Sequence, residues 1–286
     1  MRQALDVIAG LLTTGRADAE TLTWAHVRYP HAAAVRSALA ERYAPAMANK
    51  ALAALRGVLK EAWRLGLLAA EDYHRAVDLP RVRGETLPAG RSLASGELRA
   101  LFDTCRDGTP GGARDAALLA ILYGGGLRRA EAVALDLSDY DREAGALAVH
   151  RGKGGKARKA YLPQGGQAAM DAWLAARGDA PGPLLCPVHK GGQVDLRAMT
   201  AQAVLYAVRR RAKRAGIARF SPHDLRRTFV GDLLDAGADI ATVQKLAGHA
   251  SVQTTARYDR RGEVTKRKAA LLLHVPFVAP KGEENP

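Results

Sequence analysis

The chain holds only two cysteines in 286 residues, Cys105 and Cys186. Two thiols cannot build a disulfide framework, and without a C-x-x-C pair there is no zinc knuckle. The expectation that follows is a reducing, cytoplasmic compartment. No apolar run approaches the ~20 residues that a membrane-spanning helix needs. The first residues lack the hydrophobic stretch of a secretory signal. No cluster of carboxylates suggests a two-metal site. Internal repeats and low-complexity tracts are missing too, apart from general alanine richness. These absences exclude secreted mini-domains, membrane proteins and repeat arrays. What remains is a globular chain, 48% hydrophobic and 25% charged, long enough for one large or two ordinary domains.

Charge is what the sequence has in excess. Lys and Arg total 43 against 29 Asp and Glu, a formal net charge of +14. A surplus of this size suits a polyanion such as nucleic acid or an anionic membrane. It is unevenly placed. Residues 1–88 hold 12 basic and 9 acidic side chains, whereas residues 89–286 hold 31 and 20. Between these parts runs Leu79-Pro-Arg-Val-Arg-Gly-Glu-Thr-Leu-Pro-Ala-Gly-Arg91, with two prolines, two glycines and no apolar period. Such a segment reads as a linker. The expected division is therefore a domain over 1–80, a linker over 81–91, a second domain over 92–275 and a flexible tail over 276–286.

The first part reads as all helix. Met47, Leu52, Leu55, Val58, Leu59 and Trp63 keep helical spacing up to Gly66, and further helices are expected over 32–42 and 71–77. The second part is mixed. Helices are expected from Ser95 to Cys105 and over 114–123, 131–135, 167–176, 198–215, 223–235 and 240–247. Short strands are expected over 147–150 and 157–162, joined through Gly152-Lys-Gly-Gly155. The fold class is thus mainly α with a small β-sheet.

Four fragments could carry chemistry. In Ser221-Pro-His-Asp-Leu-Arg226, Ser is a good N-cap and Pro suits the first helical position. His223 and Arg226 then share one face of a helix start, where free N–H groups favour an anion. In Ala247-Gly-His-Ala-Ser-Val-Gln-Thr-Thr-Ala-Arg-Tyr258, Gly248 ends a helix before His249, and Ser251 can cap a turn that delivers Tyr258. In Gly124-Gly-Gly-Leu-Arg-Arg-Ala-Glu131, Arg128 follows a glycine break and Glu131 stands three residues on, placed to orient it. The hairpin Arg151-Gly-Lys-Gly-Gly-Lys-Ala-Arg-Lys159 has five basic residues and no acid. Taken alone, each fragment has a plain structural reading: a helix start, a packed Tyr, a loop His or a solvated basic turn.

Together, in this order and spacing, they resemble the catalytic domain of the tyrosine recombinases, the phage integrase family. That family's pattern is an Arg in a GLRxxE-like motif, a Lys on a hairpin, HxxR, a His or Trp, and a nucleophilic Tyr. The matching residues are Arg128, Lys153, His223 with Arg226, His249 and Tyr258. Residues 90–275 carry the resemblance strongly, and 1–80 match only in length, position and helical character. Two departures stand out: Gly125 replaces a frequent Thr, and Arg227 stands where a second His is common.

The resemblance implies an all-helical, SAM-like core-binding domain and a catalytic domain of the DNA breaking-rejoining fold, clamped around duplex DNA. It implies site-specific strand exchange through a covalent 3′-phosphotyrosyl intermediate, without ATP, cofactor or metal. Tyr258 would attack the phosphodiester. A free phenol, with a pKa near 10, needs a base or a positive field to do so. His223 would accept the proton or hydrogen-bond the phosphate. Arg128 and Arg226 would clamp its oxygens, and His249 would add a hydrogen bond. Lys153 would protonate the leaving oxygen, with Lys156 as its rival. Glu131 would support from behind. Lys156, Arg158 and Lys159 on the hairpin, and Arg209, Arg210, Arg211, Lys213 and Arg214 on a helix, would contact the DNA backbone, in binding that weakens steeply with salt. The family works as a tetramer on paired sites, so a free monomer, a docking segment over 264–275 and accessory proteins also belong to the expectation. So does a simple two-domain architecture, without the arm-binding domain of larger phage integrases. A type IB topoisomerase shares the constellation, and a catalytically silent DNA-binding protein could share the fold.

Overall fold

The computed structural model describes residues 1–84, 90–150, 157–259, 270–272 and 276. It divides into two compact units, Met1–Ala89 and Gly90–Pro286. Among the described residues no helix is long and apolar enough to cross a membrane.

The first unit is built from α1 (Arg2–Thr13), α2 (Tyr29–Arg42), α3 (Pro45–Arg64) and α4 (Ala70–Val77), with a 3-10 turn at Trp24–His26. Helix α3 shows why. Ala48, Ala51, Leu52, Leu55, Leu59 and Ala62 recur at helical spacing and are buried together with Val35 and Leu39 of α2. Met47 belongs to the same sequence pattern but is exposed, because it falls one position off that stripe. Gly66, at φ 71°, lets the Leu67 N–H return 2.9 Å to the carbonyl of Ala62 and close the helix. Helix α1 has no counterpart in the sequence reading. Past α4 the chain stays bound to this unit. The side chain of Asn49 pairs both ways with Val82, at 2.9 Å each, and Arg36 donates to the carbonyl of Pro80.

The second unit opens with α5 (Ser95–Asp103) and α6 (Pro110–Leu119). Ser95 is inside α5 rather than its cap. The cap position is Ala94, whose N–H donates to Glu97, and Glu97 also binds Arg91 through both oxygens. Helix α6 begins earlier than its apolar run because Thr109 caps it, accepting from the Gly112 N–H at 2.9 Å. It passes into a π-helical turn, Ala120–Gly124, and then α7 (Arg129–Ala132). Strands β1 (Tyr140–Asp141), β2 (Ala146–Val149) and β3 (Arg158–Tyr161) form one antiparallel sheet in the order β1-β2-β3. Leu147 stands opposite Ala160, and Val149 opposite Arg158. Helices α8 (Gln164–Arg177), α9 (Ala201–Arg214), α10 (Pro222–Asp235), α11 (Ile240–Ala247) and α12 (Val252–Ala256) complete the unit. Leu118, Ile121, Leu122, Trp173 and Leu225 fill its main core. A smaller core joins α10 to α11 through Phe229, Val230, Leu234 and Val243.

Helix α9 corrects one expectation. Arg211 falls on the inward stripe with Val204 and Val208 and is 2% exposed. Its guanidinium is neutralised by Asp115 at 2.7 Å and Asp107 at 2.8 Å, so it faces the core and not a phosphate backbone. Arg210 and Arg214 reach the same two carboxylates from the surface, while Arg209 and Lys213 are exposed.

Candidate active site

The glycines after α6 are needed by the packing. Gly126 has φ 61°, and a Cβ there would stand 2.3 Å from the ring of Phe229. Gly126→Ala is expected to cost roughly 1–3 kcal/mol through overpacking and backbone strain; urea denaturation of the two proteins measures the loss. The turn sets the carbonyl of Gly126 to accept from Arg226 Nη1 at 2.5 Å. Arg226 also donates to the carbonyl of Ala247 and is 2% exposed. Burial, and then the charge of Arg128, lower its pKa to about 10. It therefore remains a cation at neutral pH.

Arg128 sits at the start of α7. Its backbone N–H donates to Glu131 Oε2 at 2.8 Å, and its Nη1 donates to Oε1 at 2.6 Å. Its Nη2 reaches across to the carbonyl of Gly248 at 2.9 Å. Glu131 is buried and also holds Arg158, which donates to both its oxygens at 3.1 and 2.7 Å. Burial opposes ionisation of this carboxyl. The hydrogen bonds from Arg158 and from the Arg128 N–H overcome it and pull the pKa down to about 2. One carboxylate thus fixes two guanidinium groups from different elements.

Arg158 is the second correction. Its side chain is 10% exposed, and it also donates from Nε to the carbonyl of Leu246 at 3.1 Å. Those bonds make it an internal brace between β3, α7 and α11 and leave little of it for the DNA backbone. Strand period held the clue, since Arg158 shares a face with the buried Ala160 while Lys159 and Tyr161 point out. Gly248, at φ 62°, leaves the space that this guanidinium uses: a Cβ there would lie 2.9 Å from it.

Helix α10 begins as its sequence implies, with Pro222 at its first position. The Asp224 carboxylate accepts from the N–H and the hydroxyl of Ser221 at 2.8 and 2.9 Å. That turn presents His223, whose Nε2 lies 3.5 Å from the Tyr258 hydroxyl. Tyr258 follows α12, which Ser251 caps through the Gln253 N–H. Its ring lies 6.0 Å from that of His249, at 25° between planes. His249 is buried, with Nδ1 2.9 Å from the Thr255 hydroxyl. Burial, then Arg226 and Arg128, lower its pKa to about 4. The pKa of His223 is also lowered, by desolvation and then by Arg226 and Arg227. Both imidazoles are therefore neutral at pH 7, each with one N–H and one lone pair.

The structure brings together Arg128, Glu131, His223, Arg226, His249 and Tyr258 from four segments of the chain. Lys153 and Lys156 lie outside the described residues. So does most of the segment 264–275, in which Leu271 and Leu272 are exposed. Sequence reasoning missed the bracing role of Arg158, the partnership of Thr255 with His249, and the place of Arg227, whose guanidinium carbon stands 5.3 Å from the centre of the Tyr258 ring.

Guanidinium groups with neutral imidazoles and a phenol are suited to a phosphodiester: the cations hold its oxygens, an imidazole takes a proton, and the phenol attacks. This is the equipment of an enzyme that breaks and reseals nucleic-acid strands through a tyrosine. The phage integrase family model matches residues 91–263. Tyrosine recombinase XerC of Myxococcus xanthus is 35% identical over 232 residues, covering 77% of this chain and 73% of that protein. Tyrosine recombinase XerD of Mycobacterium leprae is 38% identical over 225 residues, covering 74% and 68%. Two solved structures share the fold at lower identity. The Tn1549 transposon integrase in complex with transposon right end DNA superposes with a TM-score of 0.68 at 17% identity, covering 94% of this chain and 92% of that one. The XerH recombinase bound to a palindromic difH substrate gives 0.65 at 22%, covering 91% and 74%. The chain belongs to the phage integrase family and is a Xer-like tyrosine recombinase, a site-specific DNA recombinase.

Proposed function

We propose that Tyr258 cleaves one DNA strand at a specific site and holds it as a 3′-phosphotyrosyl ester until a partner strand's 5′-hydroxyl reseals it. In the first step the phenolic oxygen bonds to phosphorus, and the bond from phosphorus to the 5′-oxygen breaks. The phenolic proton passes to His223, and Lys153 returns a proton to the leaving oxygen. Arg128, Arg226 and His249 hold the oxygens of the five-coordinate phosphorus. The ester conserves the energy of the phosphodiester, so no ATP is consumed.

The observation that carries this reading is the Tyr258 hydroxyl 3.5 Å from His223 Nε2, beside two anchored arginines. A neutral imidazole there supports proton acceptance, which a charged one could not perform. Exposed Arg209, Lys213 and Lys159 supply cations for the flanking backbone. We also assign a core-binding role to residues 1–80, a linker to 81–91 and catalysis to 92–275. Action as a tetramer on paired sites, in the cytoplasm, completes the proposal.

The test is trapping. The protein is incubated in EDTA with a library of nicked duplexes and the mixture is denatured. A covalent adduct whose peptide maps to Tyr258, enriched for one sequence, is the expected result. No adduct, or an adduct only with magnesium, would overturn it. Relaxation of supercoiled plasmid without sequence preference would favour the topoisomerase.

A further inference from the structure

Arg227 is where this chain departs from the HxxR-His pattern, and the structure gives the substitution a place. Its guanidinium carbon lies 5.3 Å from the centre of the Tyr258 ring, within the reach of a cation–π contact. The side chain is 14% exposed, so solvent screens it little. On its other side, Arg227 Nε lies 3.9 Å from Asp224 Oδ1. Asp224 is buried and does not swing: it binds the N–H and hydroxyl of Ser221, and it accepts from the Arg91 N–H at 3.1 Å. A fixed carboxylate therefore stands as an ion-pair partner on one side of the guanidinium, and the phenol ring lies on the other.

We propose that Arg227 is a positioning residue for the nucleophile: standing between Asp224 and the phenol ring, it holds the Tyr258 ring toward His223 for attack. The proposal rests on Tyr258 being the nucleophile. A cation at a ring face fixes the ring's orientation through the quadrupole. Among the described residues, the other charged or titratable groups facing Tyr258 are His223 and Arg226 on α10 and His249 before α12, with Arg257 and Asp259 beside it in the chain. Among these cations, Arg227 is the one shown against the ring face.

The experiment follows covalent adduct formation on a nicked site at pH 7 for wild type, Arg227→Gln and Arg227→Lys, with DNA affinity read by gel shift and stability by urea denaturation of the same proteins. Arg227→Gln is expected to be about tenfold slower, the scale of one half-buried cation–π contact, with affinity and stability close to wild type. Arg227→Lys keeps a cation for the ring face and should recover most of the rate. A merely structural role would lower stability in step with the rate and leave Lys no better than Gln, and that result overturns the proposal. So does an Arg227→Gln rate equal to wild type. If Arg227→Gln fails to fold, Arg227→Lys decides: a folded Lys variant near the wild-type rate supports the proposal, and one slowed about tenfold or more overturns it. Failure of wild type itself to form an adduct would instead sink the recombinase chemistry assigned to Tyr258, and so remains distinguishable.

Discussion

Tyr258→Phe is expected to abolish the covalent protein–DNA adduct while leaving DNA affinity and stability within measurement of wild type. The change removes one oxygen. The ring, which carries the contacts with His249, Arg227 and the small α10–α11 core, remains. The hydroxyl's only described neighbour is His223 Nε2 at 3.5 Å, a long contact with an exposed residue. Losing it leaves no buried donor unsatisfied, so the stability change should stay below about 0.5 kcal/mol. Chemistry is another matter. Without the phenol no ester from residue 258 to phosphorus can form, and Tyr123, which packs on the same small core, is a poor substitute: it donates its hydroxyl to Asp232 and has its pKa pushed up to about 12 by burial and that carboxylate. Trapping with denatured-gel detection reads the adduct, and gel shift on the same duplex reads affinity. An adduct of undiminished yield on Tyr258→Phe would remove Tyr258 from its role.

The variants also separate what was legible in the sequence from what was not. Arg128, Glu131, His223, Arg226, His249 and Tyr258 could be picked out as one group because the resemblance rests on residue types in a fixed order, and the structure brings these six together. The start of α10 was legible for a local reason, since Ser-Pro-His-Asp encodes both cap and first turn. Where the answer depended on which way a side chain faces, residue type misled. Arg158 and Arg211 look like surface cations by composition, yet each meets a buried carboxylate delivered by a distant segment, Glu131 from α7 and Asp115 from α6. Both lie on the inward stripe of their own element, so periodicity carried a signal that charge obscured. Helix α1 and strand β1 were missed for different reasons. Strand β1 is two residues long, and what makes it a strand is pairing of Tyr140 with Leu147. No local pattern of that length could show it. Helix α1 is ordinary in sequence, without a polar cap, and gains its place by burying Ile8 and Ala9.

The charge argument changes accordingly. The total of 43 basic side chains overstates what faces a polyanion, because the densest basic run is partly spent within the fold. Of Arg209–Arg214, Arg211 is internal and Arg210 and Arg214 share the Asp115 and Asp107 carboxylates, leaving Arg209 and Lys213 exposed without an ion pair shown. Phosphate contacts should therefore be fewer than the count of basic residues suggests, and the slope of binding against salt correspondingly shallower.

Glu131→Gln should be the most damaging of the substitutions that leave every group assigned to DNA in place. The carboxylate receives the Arg128 N–H, the Arg128 side chain and both arms of Arg158. Gln keeps the size but removes the charge and turns one acceptor into a donor facing guanidinium. Arg158, nearly buried, then loses its counter-ion, a loss that typically costs about 3–5 kcal/mol. The sign with pH follows from the carboxyl's own shift. Its folded pKa is about 2, below the ordinary 4.5, so its contribution is complete above about pH 4.5 and disappears as the pH falls toward 2. The stability gap between wild type and Glu131→Gln should accordingly be full at pH 7 and close progressively below pH 4.5, as read by urea denaturation across that range. A constant gap down to pH 3 would show that the carboxylate is not the source. Activity should fall further than stability requires. Arg128 reaches the carbonyl of Gly248 from a base that Glu131 fixes, and a displacement of about 1 Å in such a group can cost on the order of 10²-fold in rate. Adduct formation measured where the variant is still fully folded isolates that effect, and Glu131→Asp, which keeps the charge on a shorter arm, should recover more of the stability than of the rate.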